Sequence, residues 1–112
     1  MYSLPKGYIK AWVKALRSDN YCQRDTYLLF DGSYCALGVA YNAVSGVPDE
    51  ILEQKQRLTW DFFNDECDIS YNVPRELLAG TEFSDKILDL NDDKGKDFDE
   101  IANWIEENVN DE

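Results

Sequence analysis

The chain contains no histidine. That single absence removes Ser-His and Cys-His catalysis, histidine metal sites and histidine pH switching together. Cysteine is scarce as well: Cys22, Cys35 and Cys67 form an odd set with wide spacings and no C-x-x-C pair. Neither a zinc site nor a thioredoxin-type redox pair fits that pattern, whereas reduced thiols packed as small hydrophobes do. No apolar run approaches the roughly 20 residues a membrane span requires. The opening "MYSLPKGYIKAW" lacks the basic-then-apolar layout of a secretion signal, so a cytoplasmic location is expected.

Basic residues are few: eleven against twenty-three acids, a net charge of −12 over 112 residues. The imbalance grows along the chain, with net +2 in residues 1–46, −5 in 47–81 and −9 in 82–112. Such a field repels phosphate backbones and anionic lipid and attracts basic surfaces. Direct nucleic-acid binding is therefore disfavoured. Hydrophobic residues make up 44% and aromatics 13%, enough for a packed core in one domain of this length.

Ile9, Trp12, Val13 and Leu16 share one face of a helix, with Lys10, Lys14 and Arg17 on the other side and Ser18, Asp19 and Asn20 ending it. Asp31-Gly32 between two β-prone runs predicts a hairpin pairing Tyr27–Phe30 with Ser33–Cys35 through a type I′ turn. Leu37, Ala40, Tyr41 and Val44 then repeat at helical spacing, Gly46 supplies a left-handed cap, and Gly38 marks a close approach by another element. No second glycine or Walker lysine accompanies Gly38, so a nucleotide loop does not fit.

Pro48 opens a short helix through "VPDEILEQKQ". Leu58, Trp60, Phe62 and then Ile69, Tyr71, Val73 alternate as two short strands, with one long helix over Pro48 to Phe63 as the rival reading. "VPRELLAG" is a further short helix, started by Pro74 and stopped by Gly80. Two helices close the chain. Ser84 is the expected cap of the first, which turns Ile87, Leu88 and Leu90 inward; Asp97 and Glu100 form a capping box on the second, whose face is Phe98, Ile101, Ala102 and Ile105. The final "NVNDE" is expected to fray.

The expected fold is thus α+β: a small antiparallel sheet packed by four to five helices and ending in an αα-hairpin. Trp12, Leu16, Leu29, Leu37, Tyr41, Leu88, Phe98, Ile101 and Ile105 are the expected core.

The acidic stretch from Leu88 to Asn108 admits several chemistries. Asp89, Asn91, Asp93, Asp97 and Glu100 fall at the first, third, fifth, ninth and twelfth positions of an EF-hand loop. Lys94 stands where that loop needs its glycine, and Gly95 comes one place late, so calcium is the weaker reading. A DNA-reading helix pair fails because the closing helix carries no Arg or Lys and four acids, Asp99, Glu100, Glu106 and Glu107. Paired carboxylates can do acid–base work, and Asp61, Asp65, Glu66 and Asp68 lie near Trp60, Phe62 and Phe63, but the spacing selects no pair among them.

"WVKALRSDNYCQ", "DGSYCALGVAYN", "VPRELL" and "LNDDKGKDFDEIANWIEEN" together resemble a family of small uncharacterised bacteriophage and bacterial proteins. The resemblance covers most of the chain and is thinnest between Ser45 and Val73. The resemblance implies two cysteines in many relatives where this chain has Cys35-Ala36, so no shared thiol chemistry is carried over, and the family brings no catalytic residues. It implies a phage accessory protein that acts by binding host components.

Two functional readings follow. The first is a non-enzymatic interaction protein, an inhibitor or nucleic-acid mimic, that offers Asp92, Asp93, Asp99, Glu106 and Glu107 to a basic host protein such as a nucleic-acid-binding one, without a cofactor. The alternative is a small-molecule, nucleotide-like binder or minor enzyme with a pocket near the hairpin and Trp60.

Overall fold

Gly7 takes a left-handed conformation, φ +86°, that turns the chain from strand β1 (Tyr2–Leu4) into helix α1 (Tyr8–Arg17). The computed structural model describes residues 2–18, 20–25, 27–55 and 73–111. Within α1, Trp12, Val13 and Leu16 are buried as their spacing predicts; Tyr8 joins them, and Ile9 sits at the margin. Ser18 ends the helix by donating its hydroxyl to the Ala15 carbonyl at 2.7 Å.

The hairpin forms where expected but is shorter. Strands β3 (Leu29–Phe30) and β4 (Ser33–Tyr34) pair antiparallel, Leu29 opposite Tyr34 and Phe30 opposite Ser33. Asp31 and Gly32 both have positive φ, +52° and +80°, as a type I′ turn demands. Cys35 leaves the strand because it caps the next helix: its sulfur accepts the Gly38 N–H at 3.3 Å. One antiparallel sheet was expected, and two small sheets are present among the described residues. Strand β2 (Cys22–Gln23) joins β4 in parallel, making a mixed three-stranded sheet. Strand β5 (Val109–Asp111) pairs in parallel with β1, Tyr2 opposite Val109 and Leu4 opposite Asp111. Val109–Asp111, expected to fray, are therefore held in a strand. Burial of Leu4 and Val109 holds it, and the Asp111 carboxylate accepts the Gly7 N–H at 2.9 Å.

Helix α2 (Ala36–Val39) widens into a π-helical turn over Ala40–Val44 and closes at Gly46, φ +78°. Ser45 N–H reaches back to the Ala40 carbonyl and Val47 N–H to that of Tyr41. The same closure recurs after α4 (Glu82–Leu88), which continues as a π turn over Asp89–Asp93. Lys94 there bonds Asp89, Lys96 bonds Leu90, and Gly95 is left-handed. Thr81, not Ser84, caps α4: the Ser84 N–H donates to Thr81 Oγ1 at 3.1 Å, and Ser84 itself is buried inside the first turn. Phe83 must be helical to reach the core, which moves the cap three places back.

Pro48 precedes α3 (Asp49–Lys55) and accepts its first N–H groups, and Pro74 likewise precedes a 3-10 turn over Arg75–Leu77. The alternating strands over 58–72, and the part of the rival helix beyond Lys55, lie outside the described residues; Val73, the end of the second expected strand, is described and is not in a strand. The last helix, α5 (Phe98–Asn108), carries the full capping box: Glu100 N–H donates to Asp97 at 2.8 Å and Asp97 N–H to Glu100 at 3.2 Å. Its Phe98, Ile101, Ala102 and Ile105 are all buried. The expected αα-hairpin is not the main packing unit, because α5 makes its most extensive contact with α1 rather than with α4.

The core runs between α1, α2, α4 and α5. Trp12 lies between Tyr8 and Phe83, with ring centroids 6.3 and 6.2 Å away, and Phe83 stacks on Tyr2 at 4.6 Å. Trp12 Nε1 donates to the Ala36 carbonyl at 3.1 Å, and the Tyr41 hydroxyl to the Leu77 carbonyl. All the expected core residues are buried except Leu88, which is half-buried. The Cα radius of gyration, 12.8 Å, matches the value of about 13 Å for a compact chain of this length. No helix among the described residues is long and apolar enough to cross a membrane.

Candidate interaction surface

The apolar stripe of α5 faces inward, so its acids must face elsewhere. Asp99 and Glu107 are exposed, as is Asp93 in the π turn, and none of the three has a partner among the described residues. The other two expected contact residues are engaged. Asp92 is half-buried and accepts from Asn91 Nδ2 at 2.8 Å. Glu106 pairs with Arg17 at 2.5 Å, and the same guanidinium nitrogen donates to Asn103 Oδ1 at 2.5 Å. Both side chains of that pair are well exposed, 39% and 50%, so it ties α1 to α5 with little net stabilisation. Lys96 and Glu100 approach to 3.6 Å in a similar exposed pair.

The residues of the calcium alternative serve other purposes. Asp97 and Glu100 cap α5, Asp93 points to solvent, and Asp89 begins the π turn. Asn91 is turned inward, only 4% exposed. Its Oδ1 accepts from Gln23 Nε2 at 3.0 Å and from the Ala36 N–H at 3.1 Å, while its Nδ2 donates to the Arg24 carbonyl at 2.8 Å. Among the described residues, no group of three or more acidic or cysteine side chains is arranged to hold a metal ion.

Asn91 thus fastens the acidic turn to β2 and to the start of α2. No sequence signal could have singled it out, since its partners are up to 68 residues away. Asn91→Ala strands a buried N–H at Ala36 and a carbonyl at Arg24. The expected loss is about 2 kcal/mol of unfolding free energy, readable in urea titrations followed by circular dichroism. A variant as stable as the parent would contradict the role.

A second feature lies at the hairpin. Tyr27 and Phe30, 39% and 50% exposed, are the large hydrophobic side chains that the described residues leave in solvent. Their rings stack with centroids 5.1 Å apart and 27° between planes. The Arg24 guanidinium sits 5.3 Å from one centroid and 4.9 Å from the other, and its Nη1 donates to the Phe30 carbonyl at 2.9 Å. Beside this cluster Tyr34 donates its hydroxyl to Asp49 at 2.8 Å, and Asn42 donates to the same carboxylate oxygen at 2.9 Å. Desolvation, then the Asp49 carboxylate, holds the Tyr34 phenol protonated beyond its ordinary range. Trp60, the other marker of the alternative pocket, and the acids Asp61 to Asp68 lie outside the described residues.

A cleft of about 710 Å³ runs along α1, floored by Ile9 and Val13 and edged by Lys10, Lys14 and Arg17. The basic face read from the sequence forms this edge, with Arg17 already committed to Glu106.

The buried Cys35 thiol is not set up for nucleophilic chemistry. Burial raises the Cys35 thiol from its ordinary 9.0 to about 11, an effect that the Gly38 N–H on its sulfur only partly offsets. The folded state keeps this proton where the unfolded chain releases it. Stability present below pH 9 is therefore lost progressively as pH rises towards 11. Cys22 is exposed. Mass-mapped alkylation at mildly alkaline pH is expected to modify Cys22 well before Cys35; equal rates would contradict the burial of Cys35.

Compared with protein-family models, curated proteins and solved structures, the chain matches none.

Proposed function

We propose that this is a non-enzymatic interaction protein that presents the acidic outer surface of residues 82–112 to a basic host protein. One observation carries the reading: the apolar face of α5 is consumed by the core, which leaves Asp99 and Glu107 in solvent together with Asp93. The segment holds twelve acids against three bases, and partial internal pairing by Arg17 and Lys96 leaves a large negative excess. A surface of this kind speeds and orients encounter with a cationic partner.

A nucleic-acid mimic is the narrower form of this reading, in which the outward carboxylates stand in for phosphates. A phage accessory role, with inhibition of the host partner as its outcome, is supported by the sequence resemblance alone.

The test is capture from bacterial lysate by the tagged chain at low and high salt, beside the variant Asp93→Lys/Asp99→Lys/Glu107→Lys. A basic protein retained only at low salt and lost from the variant is the expected result. Partners indifferent to salt and to charge reversal would overturn the reading.

A further inference from the structure

We propose that the cleft along α1 is a binding site for an aliphatic carboxylate, its chain laid on Ile9 and Val13 and its head held by Lys10 and Lys14. The site goes beyond the acidic-surface reading and stands independently of it.

The cleft joins an apolar floor to a pair of cations. Ile9 and Val13 are four residues apart on α1, and so are Lys10 and Lys14. That spacing sets Cβ atoms about 5–6 Å from each other, close enough for two ammonium groups to share one carboxylate. The methylene stems of the lysines extend the apolar lining beneath their charges.

The other polar groups of the cleft are already committed. Arg17 pairs with Glu106 at 2.5 Å, the Ser18 hydroxyl donates to the Ala15 carbonyl at 2.7 Å, and Asp111 accepts the Gly7 N–H at 2.9 Å. Lys10 and Lys14 are exposed and have no partner among the described residues. With Glu106 neutralised, these two lysines outnumber the remaining carboxylate of Asp111, so the free charge of the cleft is positive.

The lining also limits the occupant. Its described residues include no aromatic ring on which a base would stack. Its volume of about 710 Å³ lies within the range of about 300–1,000 Å³ usual for small-molecule sites. A protein partner engages roughly 20–30 residues a side, whereas eight described residues line this cleft. An acidic protein would also bring its whole field against the net charge of −12, where a fatty acid brings one negative charge.

The experiment is an amide NMR titration of the full chain with octanoate below its micelle concentration and, separately, with octanol and with acetate. Octanoate is expected to shift the amides of Ile9 to Ser18. Octanol keeps the tail and acetate keeps the head; each is expected to bind at least about tenfold more weakly. Lys10→Glu/Lys14→Glu is expected to weaken octanoate by about the same factor with an unchanged circular dichroism spectrum, because both side chains are exposed. Lys6→Glu/Lys94→Glu makes the same change in net charge away from the cleft and is expected to leave binding as it is. No shift with octanoate, shifts confined to other elements, or octanol bound as tightly as octanoate would overturn the site. Equal weakening by the two double variants would overturn the role of Lys10 and Lys14. An acidic helical peptide that bound this cleft more tightly than octanoate would overturn the small-molecule assignment.

Discussion

Trp12→Ala is expected to lower the unfolding free energy by about 4 kcal/mol, the largest effect of any single substitution considered. The indole is fully buried and meets Tyr8 on α1 and Phe83 on α4, so its removal opens a cavity where several elements converge. The hydrogen bond adds less. Its acceptor, the Ala36 carbonyl, also receives the Ala40 N–H within α2 and is not left bare. Trp12→Phe should accordingly recover more than half of the loss. Domains of this size are typically stable by only about 5–15 kcal/mol, so the alanine variant approaches the unfolding threshold. Urea titration followed by far-ultraviolet circular dichroism reads the effect without relying on the deleted fluorophore. A loss below about 1 kcal/mol would contradict the packing of α1 described above.

Gly38→Ala tests a sign as well as a size. Helix propensity alone predicts a gain of about 1 kcal/mol from replacing a mid-helix glycine by alanine. The structure predicts the opposite. A Cβ at this position would lie 2.1 Å from the Leu28 carbonyl oxygen and 3.0 Å from its carbon. Both are backbone atoms, and that carbonyl is held in place by the Cys35 N–H at 3.2 Å. Neither side can yield without opening the junction between the hairpin and α2. The net expectation is a loss of about 3 kcal/mol. An alanine variant more stable than the parent would mean that Leu28 does not cross α2 there.

These two residues also show what the sequence could reveal. Trp12 follows from periodicity, and Gly38 from the cost of glycine inside an otherwise good helix; both signals are local. The Asp31-Gly32 turn and the Asp97–Glu100 capping box were legible for the same reason, since each is a chemistry of neighbours. What was not legible depends on distant pairing. Strand β5 is three residues long and finds its partner at the other end of the chain, so no alternation could announce it. Thr81 displaced Ser84 as a cap because burial of Phe83 fixed where the helix begins. At the candidate surface, charge count identified the acidic segment, but only coordinates separate Asp93, Asp99 and Glu107 from Glu106, which Arg17 takes, and Asp92, which Asn91 holds. The aromatic pair was hidden for a related reason. Tyr27 and Phe30 read as ordinary strand residues until the strand proved to begin at Leu29, leaving Tyr27 outside the ladder.

The same geometry shows where one short, strongly charged chain places its carboxylates. The capping box and the first-turn Asp99 place carboxylates at the N-terminus of α5, where the helix dipole favours them. Acids further along the helix gain no such help, and their repulsion is relieved by Arg17 from α1. Charge is thus tolerated where the fold can use it and left in solvent elsewhere, the arrangement a docking face requires.

The measurement that bears most directly on this account is the affinity of the intact chain for the proposed basic partner, once captured, across a series of salt concentrations. For the parent, affinity is predicted to fall steeply as salt rises; for Asp93→Lys/Asp99→Lys/Glu107→Lys it is predicted to be weak and nearly flat. Two curves of equal height and slope would contradict the claim that these outward acids make the contact.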